Sequence, residues 1–88
     1  MKSLTPSPKV ILTETREGGV LLDLDTKFYF TLNAMGVALW KRLQAGGATL
    51  DALGSALTEE FDVDAETARR DAAEVLRELV AEGLVREA

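Results

Sequence analysis

The sequence has 88 residues with no cysteine and no histidine, 15 acidic against 10 basic residues, and 47% hydrophobic content. A chain of this length forms one domain and buries only about 60–65% of its unfolded surface, which leaves little room for an enclosed active-site cavity. The missing residue types exclude disulfides, thiolate zinc sites, cysteine nucleophiles and histidine general bases. We therefore expect a protein that is not an enzyme and that uses no metal and no cofactor.

The charges are unevenly distributed along the chain. Residues 1–44 carry a net charge of +2 and residues 45–88 carry −7, which accounts for the total of −5. Because nucleic-acid binding draws most of its affinity from neutralised phosphates, this balance argues against a nucleic-acid partner. The sequence contains no run of about 18 apolar residues and no secretory apolar segment, so it predicts a cytoplasmic protein without a membrane partner.

The first half of the chain has the alternating pattern of β-strands. Pro6 and Pro8 stiffen the first eight residues, which we expect to form a flexible N-terminal arm, or one that lies along the sheet. A single domain then spans residues 9–88. Short β-prone runs, separated by polar turns, lie at residues 10–15, 19–24 and 28–32. They predict a three-stranded antiparallel meander.

From residue 33 the apolar period changes from two to 3.6 residues, which is typical of helices. Three segments have this spacing, and each follows a residue type that is favoured at the N-cap: Asn33, Thr49 and Asp64. The first helix is expected to stop at Gly46-Gly47 and the third near Glu82, before Gly83. The sequence therefore predicts three helices after the sheet.

The third predicted helix has an apolar band that is wider than one packing partner needs. The predicted core stripe comprises Ala68, Ala72, Val75 and Leu79. A shoulder beside it, rotated by about 80°, comprises Ala65, Arg69, Ala73, Leu76 and Val80. This shoulder is available to a second partner. An alternative interpretation is that Leu76 and Val80 pack in the core.

The third predicted strand has little to protect its edge. Soluble proteins usually protect an edge strand with lysine, proline or a bulge, and this strand has only Lys27, at its start. The alternation of side chains places Tyr29 and Thr31 on one face and, on the core face, Phe28, Phe30 and Leu32. An open strand edge beside an apolar helix shoulder indicates a peptide groove that is filled by strand addition, with Tyr29 as an aromatic contact.

Part of this sequence resembles the PqqD-like proteins, a family that includes the RiPP recognition elements and the stand-alone leader-binding proteins of lasso-peptide biosynthesis. The matching residues are Val20–Asn33, then Gly36, Trp40 and Leu43, then the Gly46-Gly47 break and a leucine-rich helix from Leu50. The resemblance covers about Val10 to Val85. It implies an α+β fold, a winged helix-turn-helix with an N-terminal three-stranded antiparallel sheet followed by three helices. Many relatives have glycine in the turn where this chain has Lys27, so the geometry of that turn is open.

The resemblance also implies a function. In this family the leader region of a ribosomally made precursor peptide adds a fourth strand, antiparallel to the third, and its side chains enter a groove against the third helix. The protein performs no chemistry and presents the leader to a separate peptidase, cyclase or other modifying enzyme, with lasso-peptide biosynthesis as the favoured pathway here. The implied binding residues are Lys27, Phe28, Tyr29, Phe30, Thr31 and Leu32 on the strand and Arg69, Ala73, Leu76 and Val80 on the helix.

Two other functions stay open at this point. A PqqD-type peptide chaperone for a radical SAM enzyme, in quinone-cofactor or other RiPP synthesis, would have the same fold and groove and a different partner. A winged-helix DNA-binding regulator would read DNA with a helix of this half of the chain. Against the regulator, the third helix has three arginines among six acidic residues, a surface that repels phosphates.

Overall fold

The computed structural model describes residues 3–46 and 49–87. The strands are β1 (Leu4–Pro6), β2 (Val10–Glu14), β3 (Gly18–Asp23), β4 (Tyr29–Asn33) and β5 (Val85–Glu87), and the helices are α1 (Ala34–Gln44), α2 (Leu50–Glu60) and α3 (Ala65–Ala81). Strands β2, β3 and β4 form an antiparallel sheet in that order. The predicted α+β fold, with a three-stranded antiparallel sheet before three helices, is confirmed. Met1 and Lys2 of the predicted arm, Gly47 of the predicted break and Ala88 lie outside the described residues.

A second, two-stranded sheet joins the two ends of the described chain. Strand β1 pairs antiparallel with β5, with Leu4 opposite Glu87 and Pro6 opposite Val85. The Leu4 side chain is fully buried. At Leu4–Pro6 the structure therefore differs from the predicted flexible arm. Strand β1 has three residues and its partner lies at the far end of the described chain. The local sequence therefore contains no pattern that predicts it.

The three helices begin at the predicted N-caps. The side-chain oxygens of Asn33, Thr49 and Asp64 accept hydrogen bonds from the backbone N–H groups of Gly36 (2.8 Å), Ala52 (3.3 Å) and Thr67 (2.7 Å). Each of these N–H groups lies in a first helical turn and has no acceptor within its own helix. The capping residues therefore fix where the strands end and the helices start.

Helix α1 lies across the inner face of the sheet. A Cβ atom on Gly36 would come within 2.9 Å of Cδ2 of Leu32 in β4, and a Cβ atom on Gly19 in β3 would come within 2.9 Å of Cγ2 of Val37. These two glycines allow the helix to approach the sheet closely. Helix α1 also contacts α2 and α3, so it lies between the sheet and the other two helices.

Helix α3 is rotated relative to the predicted orientation. Its buried residues are Ala68, Ala72, Leu76 and Leu79, whereas Val75 is only half-buried. Leu76, which the sequence places on the shoulder, is 0% exposed and belongs to the core. Spacings of three and four residues both fit one helical face, so the choice between Val75 and Leu76 depends on where α2 packs, which the helix sequence does not contain.

The burial of Leu76 leads to a stability prediction. We expect Leu76→Ala to lower the free energy of unfolding by about 2–5 kcal/mol, because it removes buried methyl groups and leaves a cavity. Urea denaturation followed by circular dichroism measures this loss. The matched control is Arg77→Ala, at an exposed neighbour on the same helix, which should change the free energy by less than about 0.5 kcal/mol. Equal effects of the two substitutions would contradict the placement of Leu76.

The N-cap of α3 leads to a prediction about pH. The hydrogen bond from the backbone N–H of Thr67 holds the pKa of the Asp64 carboxyl below its ordinary value. A lowered pKa in the folded state means that this carboxylate stabilises the fold fully above the unfolded pKa, and that the stabilisation is lost as the pH falls through the folded value. Asparagine caps a helix without titrating.

We therefore expect the stability difference between the parent and Asp64→Asn to shrink as the pH falls below about 4. Urea denaturation of both proteins between pH 7 and the acid limit of folding measures this difference. The other carboxyl groups are the same in both proteins, so their titration cancels. A difference that does not depend on pH would mean that the charge of Asp64 does not stabilise α3.

Candidate functional site

The edge of β4 that points away from β3 has no paired strand among the described residues. The N–H of Asp23 donates to the carbonyl of Phe28 at 2.9 Å. Bonded and non-bonded pairs alternate along an antiparallel ladder, so every second residue of β4 bonds to β3. The backbone groups of Tyr29 and Thr31 therefore point toward the open edge. Each of them offers one N–H and one C=O group to an added strand.

The two faces of β4 differ in burial. On the inner face, Leu32 is buried and Phe30 is half-buried, and both pack on the core. On the outer face, Tyr29 is 68% exposed and Thr31 is exposed. The expectation that Phe28 faces the core is wrong, because its side chain is 39% exposed. The strand begins only at Tyr29, so the alternation of side chains does not extend back to Phe28.

The turn before β4 places Lys27 in an unusual backbone conformation. Lys27 has a φ of 67°, in the left-handed region that favours glycine. Its N–H donates to the carbonyl of Asp23 at 2.8 Å, and the Asp23 carboxylate accepts bonds from the N–H groups of Asp25 and Thr26. The turn therefore has the geometry that a glycine would adopt easily, and the hydrogen bonds of Asp23 hold a lysine in that geometry.

An apolar surface adjoins the open edge. Among residues 3–46 and 49–87, the large hydrophobic side chains that are exposed are Ile11, Leu24, Phe28 and Tyr29. Ile11 and Tyr29 both lie opposite Leu22, so the three form one row across the outer face of the sheet. The sequence analysis assigned no role to Ile11 or Leu24. The exposure of Ile11 follows from the pairing register, because the β-prone run alone does not say which face is covered.

The four candidate residues of α3 lie in different surroundings. Arg69 is exposed, and its Nε lies 3.0 Å from Oδ1 of Asp51 in α2. Arg69 and Ala73 line a cavity of about 550 Å³ with Leu50, and no residue of β4 lines this cavity. Val80 is half-buried against the core. The structure thus brings the strand candidates Lys27 to Leu32 together at one edge, and it places Arg69 and Ala73 beside the start of α2.

Within residues 3–46 and 49–87, none of the three helices has the length and apolar character needed to cross a membrane. In the same ranges, no three acidic side chains lie close enough together to hold a metal ion.

Comparison with known proteins adds to this geometry. The model of the family described as "Coenzyme PQQ synthesis protein D (PqqD)" matches residues 18–85. A search of curated proteins by sequence found no match. The solved structure of TbiB1 in complex with the TbiA(beta) leader peptide is 32% identical, with a TM-score of 0.80, and the match covers 93% of this chain and 94% of that one. Lasso peptide synthetase B1 complexed with the leader peptide is 28% identical, with a TM-score of 0.78 and coverage of 94% and 96%.

The fold and the open strand edge define a small domain of the RiPP recognition element type, a class of peptide-binding proteins without catalytic activity. The match over residues 18–85 places the chain in a family within that class. The chain belongs to the PqqD family. The resemblance seen in the sequence, and the expectation that the protein is not an enzyme, are confirmed.

The conformation of Lys27 leads to a prediction about the turn. We expect Lys27→Gly to raise the free energy of unfolding by about 0.5–1 kcal/mol, because glycine adopts a positive φ without the steric cost of a Cβ atom. Urea denaturation measures this gain. Lys27→Ala is the matched control, since it removes the same charge and keeps the Cβ atom, and it should give no gain. If both variants gained the same free energy of unfolding, the charge of Lys27, and not its backbone conformation, would be what destabilises the parent.

Proposed function

We propose that this protein binds the leader region of a ribosomally made precursor peptide by strand addition to the edge of β4. It then presents the leader to a separate leader peptidase, cyclase or other modifying enzyme, in the cytoplasm. The observation that carries this proposal is the unpaired edge of β4, with the backbone groups of Tyr29 and Thr31 pointing outward. Support comes from the two similar structures, which were both solved with a leader peptide.

The size of the edge sets the expected affinity. Tyr29 and Thr31 offer four backbone groups, and each hydrogen bond contributes about 0.5–1.5 kcal/mol net, or about 2–6 kcal/mol in all. A peptide that binds with a sub-micromolar to micromolar Kd gains roughly 8 kcal/mol. Backbone pairing alone does not reach this value once the cost of ordering the peptide is included. Side-chain contacts on the two faces of the added strand therefore supply the remainder and the specificity.

We propose that α3 contributes the opposite wall of the groove. Ala73 and Val80 are the half-buried apolar residues of the predicted set, so part of the surface of each is available to a peptide. Arg69 and Ala73 would contact a peptide that extends along α3 to the cavity beside Leu50. Leu76 has no free surface and would act only by holding α3 in place.

Lasso-peptide biosynthesis is the pathway that we propose, because one of the two similar structures is that of a lasso peptide synthetase B1. A second candidate is a peptide chaperone for a radical SAM enzyme, and the description of the matching family as a coenzyme PQQ synthesis protein favours it. The two candidates differ in the partner enzyme. Neighbouring genes for a transglutaminase-like peptidase and an asparagine-synthetase-like cyclase would support the first, and a gene for a radical enzyme would support the second.

A titration tests the proposed binding. We expect a synthetic leader peptide to shift the amide NMR signals of the ¹⁵N-labelled protein most strongly at residues 27–32 and along residues 69–80. A peptide of the same composition in scrambled order is the control. If neither segment responded to a candidate leader from the neighbouring genes, strand addition at this edge would be rejected. A response confined to residues 27–32 would retain the edge and reject α3 as the second wall.

A pair of proline substitutions tests which edge is used. We expect Thr31→Pro to weaken leader binding at least tenfold, because proline removes an outward-pointing N–H of β4. Glu14→Pro is the matched control, since the alternation along β2 makes the Glu14 N–H point outward at the opposite edge of the sheet. It should leave the affinity within about threefold, a free-energy change of about 0.7 kcal/mol or less. Isothermal titration calorimetry gives the Kd values, and circular dichroism checks that both variants keep their helices. Unchanged binding by Thr31→Pro would contradict the proposed edge.

A further inference from the structure

The core is incompletely covered along the inner side of β4. Phe30 lies opposite Leu21 in the register, on the inner face of the sheet. Leu21 is 0% exposed, whereas Phe30 remains half-buried although it packs on the same core. Because β3 pairs with one side of β4 and no described strand pairs with the other, we place the free surface of Phe30 toward the open edge.

Helix α1 places a second half-buried apolar side chain on this side. Successive residues of a helix point about 100° apart. Gly36 lies over Leu32 of β4, and the next residue, Val37, lies against Gly19 of β3. Moving one residue forward along α1 therefore changes the direction of the side chain from β4 toward β3. Met35 precedes Gly36 by one residue, so its side chain is rotated by about 100° in the opposite direction, away from β3 and toward the open edge of β4. Met35 is half-buried and packs against the core.

An added strand would bring its inward side chains to these two residues. Residues directly opposite each other in an antiparallel pair share a face of the sheet, so the peptide residue opposite Phe30 points inward. At the open edge, Phe30 belongs to a pair without backbone hydrogen bonds, and such pairs hold their side chains closest together. The inward side chain of the peptide therefore meets Phe30 on the sheet and Met35 on α1.

We infer that Met35 is a peptide-contacting residue that forms the floor of the groove, and that it selects leaders with an apolar side chain at the inward position opposite Phe30. This inference rests on the proposed function. A charged side chain at that position would lose its water against two apolar surfaces and gain no partner from them. The unbranched thioether of methionine adapts to different shapes, so the groove accepts apolar side chains of several sizes. One turn further along α1, Leu39 is fully buried in the core.

Methionine methyl NMR tests the contact directly. The chain has two methionines, Met1 and Met35, so ¹³C-methyl labelling gives two signals, and Met35→Leu assigns them. We expect the Met35 methyl signal to shift when a synthetic leader peptide is added. If the amides of Tyr29 and Thr31 shift while the Met35 methyl does not, the role of Met35 is overturned and the proposed function stands. If neither responds to the leader, the proposed function itself fails.

Variants measure the contribution of Met35 to binding. We expect Met35→Ala to weaken leader binding about tenfold and Met35→Leu to stay within about threefold, because leucine restores most of the apolar contact. Leu12→Ala is the matched control. Like Met35, Leu12 is a half-buried apolar residue that packs on the core, but it lies in β2, at the opposite edge of the sheet, so its shortening should not change the affinity.

A double-mutant cycle separates contact from a merely structural role. Alanine is placed at each leader position in turn, and each peptide is titrated into the parent protein and into Met35→Ala. At the inward position opposite Phe30, we expect alanine to weaken binding to the parent at least threefold more than it weakens binding to Met35→Ala. Equal losses in both proteins at every position would show that Met35 does not contact the peptide.

Discussion

The structure depends on strand β4, which is fixed at both ends and is paired with another strand along one side only. At its start, the Asp23 carboxylate accepts two backbone hydrogen bonds and fixes the turn into β4. At its end, Asn33 caps α1 and makes the chain turn away from the sheet. Strand β3 bonds to one side. A strand fixed in this way presents its unpaired backbone groups in a set geometry, so a peptide would pay most of the ordering cost and the protein little.

This arrangement explains why the composition is sufficient for the proposed task. Strand addition uses backbone N–H and C=O groups, which every residue except proline supplies. The side chains that surround the edge need only be apolar or small, as Phe30, Met35 and Tyr29 are. Acidic residues are concentrated in the second half of the chain, and most of those in α2 and α3 are exposed to solvent. The strands that form the edge carry few of them.

The parts of the fold that local chemistry determines were predictable from the sequence. Asn33, Thr49 and Asp64 are capping residue types in front of helical patterns, and each caps a helix. The edge position of β4 also follows from a meander of three short strands. The parts that depend on distant contacts were not predictable. Whether Val75 or Leu76 enters the core is decided by α2, and β1 exists only because β5 lies beside it. The same distinction applies to the residues at the site. Strand alternation in the sequence indicates Tyr29 and Thr31, whereas the position of Met35 is known only once α1 is placed over the sheet.

The shortness of the open edge has a consequence for the lifetime of a complex. Strand β4 has five residues, and only every second one presents its backbone groups outward, so few hydrogen bonds hold an added peptide. A micromolar complex that forms at about 10⁶ M⁻¹ s⁻¹ dissociates on the order of once per second. Release of a spent leader then needs no energy input and no separate opening step. Under the proposed function, one copy of the protein would therefore serve many precursor peptides in succession.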